Sequence, residues 1–318
     1  MERILLKTIR KFIDPSAEIK SIESKPIHIG LQAVSLHRHT IHLKKSENIQ
    51  LSLITKYASI IERRVLNRLH SQGANVPFFL TDSSADEERA LICLQDVDYQ
   101  TDYSNLNIAA LQQKELPALW HIHASNLRRV EDLRWLSPVD IHHIETMINT
   151  RWRPQWQASL KDDCFVTEFG DYIPWVEAAA STIFKDIIDV INEESTHTLI
   201  HNDLNPGNVL VHNNNDVFFI DWEDARYGSL FLDFPLRCTN SEQVEKYRQF
   251  LADQGIVYSD RRFRHLFTIA SRYLGLKYMS WNLGAWSGNR QAKDDLKKYL
   301  DMVVGNNFVN QQDNIVSL

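Results

Sequence analysis

The chain has 318 residues, enough for one large domain or two lobes around a real core. Its 43% hydrophobic and 24% charged residues are ordinary for a globular protein. A formal net charge of −6 and a pI near 6.1 argue against nucleic acid as a partner, and no apolar run reaches the ~18 residues of a membrane span.

The segment 1–25 mixes apolar and charged positions around Pro15 and reads as a short helix and a leader. Its first residues lack the long apolar core of a signal peptide. Cys93, Cys164 and Cys238 are scattered and odd in number, as expected of reduced thiols in a cytoplasmic protein. Residues 27–34 and 37–43 read as two strands, with Gly30 the one glycine near their bend. Alternation places His37 and His39 on one face and His42 on the other, which favours a solvated strand face over a metal cluster.

Residues 51–56 alternate as a strand that ends in Lys56. A helix follows over 59–69, with Ile61, Val65, Leu66 and Leu69 as its apolar stripe and Glu62 beside it. Lys44 and Lys45 are rivals to Lys56 as partners for that glutamate. Gly73 closes the helix, 76–80 reads as a strand, 82–88 as a polar turn, and 90–94 as an apolar strand running into Gln95, Asp96 and Val97. The expected domain boundary lies there, dividing 1–95 from 96–318. Beyond it the pattern turns helical, over 108–124 and near 139–149 and 174–193, with Trp152, Trp156 and Trp175 read as core or partly buried.

The densest signal comes next. An apolar run over 199–200 leads into His201-Asn202-Asp203-Leu204-Asn205-Pro206-Gly207-Asn208, then Val209-Leu210-Val211. A second apolar run over 217–220 ends in Asp221-Trp222-Glu223-Asp224. Asn208 stands five residues after Asp203, and Asp221 thirteen after Asn208, about the length of a hairpin that returns Asp221 beside Asn208. Phosphoryl transfer asks for such a trio: one carboxylate to take the proton of an attacking hydroxyl, and an amide oxygen and a second carboxylate to hold Mg²⁺ against nucleotide phosphates.

These residues resemble the aminoglycoside phosphotransferase and choline kinase superfamily. The Trp-Glu after Asp221, in place of Phe-Gly, favours a small-molecule kinase over a protein kinase. The resemblance implies an α+β, bilobal protein-kinase-like fold, with a small N-terminal antiparallel sheet lobe carrying one helix and a larger, mainly helical C-terminal lobe. It implies ATP, with GTP as an alternative, and Mg²⁺ as cofactors. By that resemblance Asp203 is the base and Asn208 and Asp221 the metal ligands. Lys56, set by Glu62, would steady the α- and β-phosphates, and main-chain groups of Gln95 and Val97 would meet the adenine. His201 and Asp233 would order the loop, and His123 matches a packing histidine of the family. The 27–43 hairpin would cover the phosphates.

Glu223 and Asp224 read either as acids on the acceptor side or as a solvated face. Trp281 and Trp286, with Tyr273 and Tyr278 on or near a helical segment at 262–283, read as an aromatic core stripe or as a cation–π surface for a cationic acceptor. The tail from Gly305 reads as a frayed end. The expected partner is a hydroxylated small molecule, cationic in one reading, and neither nucleic acid nor membrane. Three functions compete: an antibiotic O-phosphotransferase; a metabolic kinase for choline, ethanolamine or a related amino alcohol, sugar or amino acid; and a regulatory pseudokinase. The filled base and metal positions count against the last.

Overall fold

The computed structural model describes residues 1–27, 36–44, 50–84 and 86–305. The chain divides into two compact units, Met1–Lys114 with Pro206–Ala225, and Glu115–Asn205 with Arg226–Leu318. The strand expected over 27–34 falls, but for Ile27, outside the described residues, as do Gly30, Lys45 and the tail after Gly305.

The first unit is built on an antiparallel sheet of β1 (Ile19–Pro26), β2 (His37–Leu43), β3 (Gln50–Ser59), β4 (Phe79–Thr81) and β5 (Arg89–Gln95), in the order β1-β2-β3-β5-β4. The strand paired with β2 thus lies in the segment read as a leader. β4 begins two residues past Pro77, which has no N–H to give a ladder. On β2 the alternate residues His39, Ile41 and Leu43 are buried. Helix α1 (Glu2–Phe12) is the short helix expected before Pro15. It turns Ile4, Leu5 and Ile9 onto Ile41, Leu43, Leu53 and Cys93. Each such side chain gains about 1.5–3 kcal/mol on burial.

His39 corrects the sequence reading. It is 1% exposed, with Nδ1 2.8 Å from the Ser24 hydroxyl on β1 and Nε2 2.8 Å from Thr55 Oγ1 on β3. The neighbouring strands supply both partners, so the imidazole is satisfied inside the sheet rather than solvated.

Helix α2 (Ile60–Ser71) is capped by Ser59, whose hydroxyl accepts the Glu62 N–H at 3.2 Å. Its buried face holds Val65, Leu66 and Leu69 of the expected stripe, together with Glu62 and Arg63.

Four short strands frame the motif. β6 (His197–Ile200) belongs to the second unit and pairs with β9 (Arg226–Ser229). β7 (Val209–His212) and β8 (Asp216–Phe219) form the expected hairpin, inside the first unit. Its turn holds Asn213 and Asn214 at φ 50° and 58°, a left-handed conformation that Asn tolerates. Asn75 anchors the hairpin: its carbonyl accepts the Phe219 N–H at 2.9 Å and its amide donates to the Val217 carbonyl at 2.9 Å.

Helix α3 (Ile108–Asn126) starts in the first unit and ends in the second. The second unit is mainly helical. It holds α4 (Val130–Leu133), α5 (Ile141–Thr146) continuing through a π-helical turn into α6 (Arg153–Ser159), then α7 (Asp163–Phe169), α8 (Ile173–Asp186) and α9 (Ile188–Ile191). After β9 come α10 (Ser241–Asp253), α11 (Asp260–Asn282) and α12 (Arg290–Val304). Trp152, Trp156, Phe231, Phe234, Tyr247, Phe263 and Tyr273 fill its core. Trp175 departs from the core reading, with 66% of its surface exposed on α8. An antiparallel sheet followed by a mainly helical part is the expected α+β class. Among the described residues no helix is long and apolar enough to cross a membrane.

Candidate active site

In the first unit, β3 and α2 bring Lys56 and Glu62 together. The Lys56 ammonium lies 2.8 Å from Glu62 Oε1 and 2.8 Å from Asp221 Oδ1. Strand alternation turns Lys56 away from the face that buries Leu53 and Thr55, and the capped first turn of α2 directs Glu62 back toward it. Lys44, the described rival, meets Glu18 instead, at 3.4 Å. Burial works against the Lys56 ammonium, but Glu62 and Asp221 outweigh it, so its pKa stands above the ordinary lysine value. Burial raises the Glu62 pKa, Asp221 and Glu223 raise it further, and Lys56 opposes them.

Asp221 follows β8 at φ 61°, again left-handed. The Ile220 N–H donates to the Asn208 carbonyl at 3.0 Å, just past the last hairpin pair, Val209 with Phe219. The hairpin therefore carries Asn208 and Asp221 at its same end. Trp222 is fully buried and donates its indole N–H to the Phe219 carbonyl at 3.1 Å, which fixes the turn after Asp221. Glu62, Asp221 and Glu223 offer carboxylate oxygens that all lie within 4.8 Å of one another. Asp221 keeps 49% of its side chain exposed, within reach of an incoming ion. The Lys56 ammonium already meets Glu62 and Asp221, so the oxygen donors that fit a hard divalent cation such as Mg²⁺ are the Asp221 carboxylate and the amide oxygen of Asn208 at the same end of the hairpin. Glu223 also accepts from Arg89 at 2.7 Å, and Asp224 is exposed.

Gln95 and Val97 meet the hairpin through a residue the sequence reading passed over. His212 on β7 has Nδ1 2.8 Å from the Val97 carbonyl and Nε2 3.5 Å from the Gln95 amide. Between them Asp96 is held by Arg38 at 2.7 Å and by the Ser52 hydroxyl. Arg38 reaches Asp98 as well, at 3.0 Å. The end of the apolar strand marked this segment in the sequence, but its partners lie on β2, β3 and β7, beyond any local pattern.

In the second unit, β6 delivers His201, Asn202 and Asp203. Asp233 is fully buried and accepts two consecutive main-chain N–H groups, from His201 at 2.5 Å and Asn202 at 2.9 Å. His123 from α3 approaches Asp233 at 3.4 Å through Nε2, and its Nδ1 bonds the Tyr247 hydroxyl of α10. Burial pushes the Asp233 carboxyl up, but His123 and the His201 N–H outweigh it and hold the pKa below the usual carboxylate range. His201 is buried, and its Nδ1 accepts the Asp203 N–H at 3.3 Å. The Asp203 carboxylate accepts from the Asn205 amide at 3.3 Å. Asp203 itself is partly exposed.

The aromatic residues divide. Tyr273 and Tyr278 are buried in the core. Trp281 is 57% exposed near the end of α11, and Trp286 lies past it with its ring edge-on to Phe165 and Phe169. The four residues read as one aromatic cluster in the sequence, and the structure places the two tryptophans in different surroundings.

The model of the phosphotransferase enzyme family (APH) matches residues 59–267, about two thirds of the chain. No curated protein sequence matches it. Among solved structures the chain resembles a spectinomycin phosphotransferase determined with ADP and spectinomycin, at 14% identity and TM-score 0.58, covering 95% of this chain and 97% of the other. It also resembles a choline kinase from Streptococcus pneumoniae, at 17% identity and TM-score 0.51, covering 96% and 99%. A third is an aminoglycoside phosphotransferase mutant determined with AMP-PNP and hygromycin B, at 14% identity and TM-score 0.52, covering 94% and 98%. At these identities the likeness is one of fold.

Proposed function

The chain belongs to the phosphotransferase enzyme family, and from that premise we propose that it transfers a phosphoryl group from ATP to a hydroxyl acceptor, with its residues dividing the work as follows. Lys56, held by Glu62, steadies the α- and β-phosphates. Asn208 and Asp221 hold Mg²⁺, which supplies charge neutralisation for the phosphates when bound. The main chain at Gln95 and Val97 receives the adenine, on a segment fixed by Arg38 and His212. Asp203 orients the acceptor hydroxyl and takes its proton. His201 and Asp233 hold the loop that presents Asp203. The observation that carries this reading is the ion pair of Lys56 with Glu62 at 2.8 Å, the pair that phosphate binding in kinases requires, with Asp221 2.8 Å from the same ammonium.

The acceptor is a hydroxylated small molecule. The first reading is an antibiotic of the aminoglycoside or spectinomycin type, supported by the likeness to the spectinomycin phosphotransferase. A choline-like amino alcohol is the second, supported by the choline kinase neighbour. Glu223, Asp224 and the exposed Trp281 are the candidate contacts for a cationic acceptor, with Trp286 a weaker one given its packing.

The test is an ATP-consumption screen with Mg²⁺ and a panel of aminocyclitol and aminoglycoside antibiotics beside choline and ethanolamine. Acceptor-dependent ADP release with one class names the substrate. Release with none of them rejects both acceptor readings.

A further inference from the structure

Lys277 lies on α11, where helix packing alone would call for an apolar side chain. It is 7% exposed, in a run of α11 where Tyr273, Leu274, Leu276, Tyr278 and Met279 are buried too. Taking an ammonium out of water costs several kcal/mol unless it is fully hydrogen-bonded, so its presence there calls for a partner that needs it. That partner is Asn202. The Lys277 ammonium donates to the Asn202 main-chain carbonyl and, at 3.1 Å, to its side-chain oxygen.

Asn202 stands at φ 62°, in the left-handed region, which asparagine tolerates better than most residues with a side chain but which no helix or strand ladder holds in place. Its N–H is taken by Asp233 at 2.9 Å. Its main chain is therefore clamped from both ends, by an acid on one side and an ammonium on the other. The two clamps come from positions 31 and 75 residues away in sequence. His143 on α5 is buried close to this clamp. Burial, with Arg226 and Lys277 nearby, holds the His143 pKa down to about 4, so its ring is neutral and adds no second positive charge beside Asn202.

The residue that follows Asn202 is Asp203, and the ψ of Asn202 sets the direction in which the Asp203 side chain leaves the loop. We propose that Lys277 is a positioning residue for phosphoryl transfer: by pinning Asn202 in the left-handed conformation it aims the Asp203 carboxylate. This rests on the reading of Asp203 as the group that receives the acceptor proton. A misplacement of about 1 Å in such a group costs on the order of 100-fold in rate.

The experiment replaces Lys277 with Met, which matches its length and is suited to the buried face, and with Gln, which keeps one N–H donor. Asp203→Asn is the control. The reaction is hydrolysis of Mg²⁺-ATP with water as acceptor, read as phosphate release, beside KM for ATP and Tm. The proposal expects Lys277→Met to lower kcat by about 10- to 100-fold, with KM for ATP and Tm held or Tm raised. Lys277→Gln should recover part of the rate. Wild-type kcat in Lys277→Met, with Asp203→Asn inactive, overturns the proposal and leaves the base assignment standing. A Lys277→Met protein that unfolds, or whose Tm and kcat fall together, makes Lys277 structural and also overturns it. Full activity in Asp203→Asn overturns the reading beneath it.

Discussion

Lys56 lies 2.8 Å from Glu62, and the ion pair they form spans the end of a strand and the first turn of a helix. The glutamate is 1% exposed and the lysine side chain 17%, so the carboxylate depends on Lys56 rather than on water for its charge. Lys56→Met is expected to lower kcat/KM for ATP by about 100-fold or more, since it removes a fixed charge from the phosphate site. It should also lower stability by about 3–5 kcal/mol, because Glu62 is left buried without its cation. Adding Glu62→Gln should restore much of the stability and none of the rate. Chemical denaturation and steady-state kinetics on the single and double variants separate the two effects.

His143 gives a prediction about pH. Its pKa is held down to about 4 in the folded chain, against an unperturbed value of 6.5. Between those two values the unfolded chain binds the proton and the folded chain does not. The stabilising contribution is thus whole above pH 6.5 and drains away as pH falls toward 4, by on the order of 3 kcal/mol. His143→Gln removes the titrating group. Its unfolding free energy should change less than wild type between pH 7 and pH 4.5, measured by urea titration. Parallel pH profiles for the two proteins would contradict the assignment.

Gly275 is a close approach of α11 to α12. A Cβ there would sit 2.7 Å from the Tyr299 carbonyl and 2.7 Å from Val303 Cγ2. Neither a main-chain oxygen nor a buried valine yields easily. Gly275→Ala should therefore destabilise the fold by about 1–3 kcal/mol, although alanine is the better helix former. Thermal unfolding of the variant checks this, and an unchanged or higher Tm would show that the helices can part without cost.

The pattern of what the sequence disclosed follows from the range of each interaction. Lys56 and Glu62 were legible because strand alternation and a helical stripe are local signals. Asn208 and Asp221 were legible because a hairpin of fixed length joins them. β1 was not, since among the described residues one side of Ile19–Pro26 has no partner strand and most of its residues are exposed, leaving no apolar alternation to read. His39 looked solvated because the Ser24 and Thr55 hydroxyls that satisfy it sit on neighbouring strands. The same holds for Arg38 on Asp96, His212 on Val97 and Lys277 on Asn202, each a contact between distant stretches of chain. β6 reads as a strand from its apolar run, but its partner β9 is set by topology rather than by pattern.

The central claim is that Asp203 directs phosphoryl transfer to a hydroxyl. The most direct measurement is turnover of Asp203→Asn beside its affinity for a nonhydrolysable ATP analogue. The amide keeps the size of the side chain and loses its ability to take a proton. With Asp203 as the base, kcat falls by about 100-fold or more while the analogue binds as it does to wild type. Turnover near the wild-type rate would contradict it and move the base to another residue.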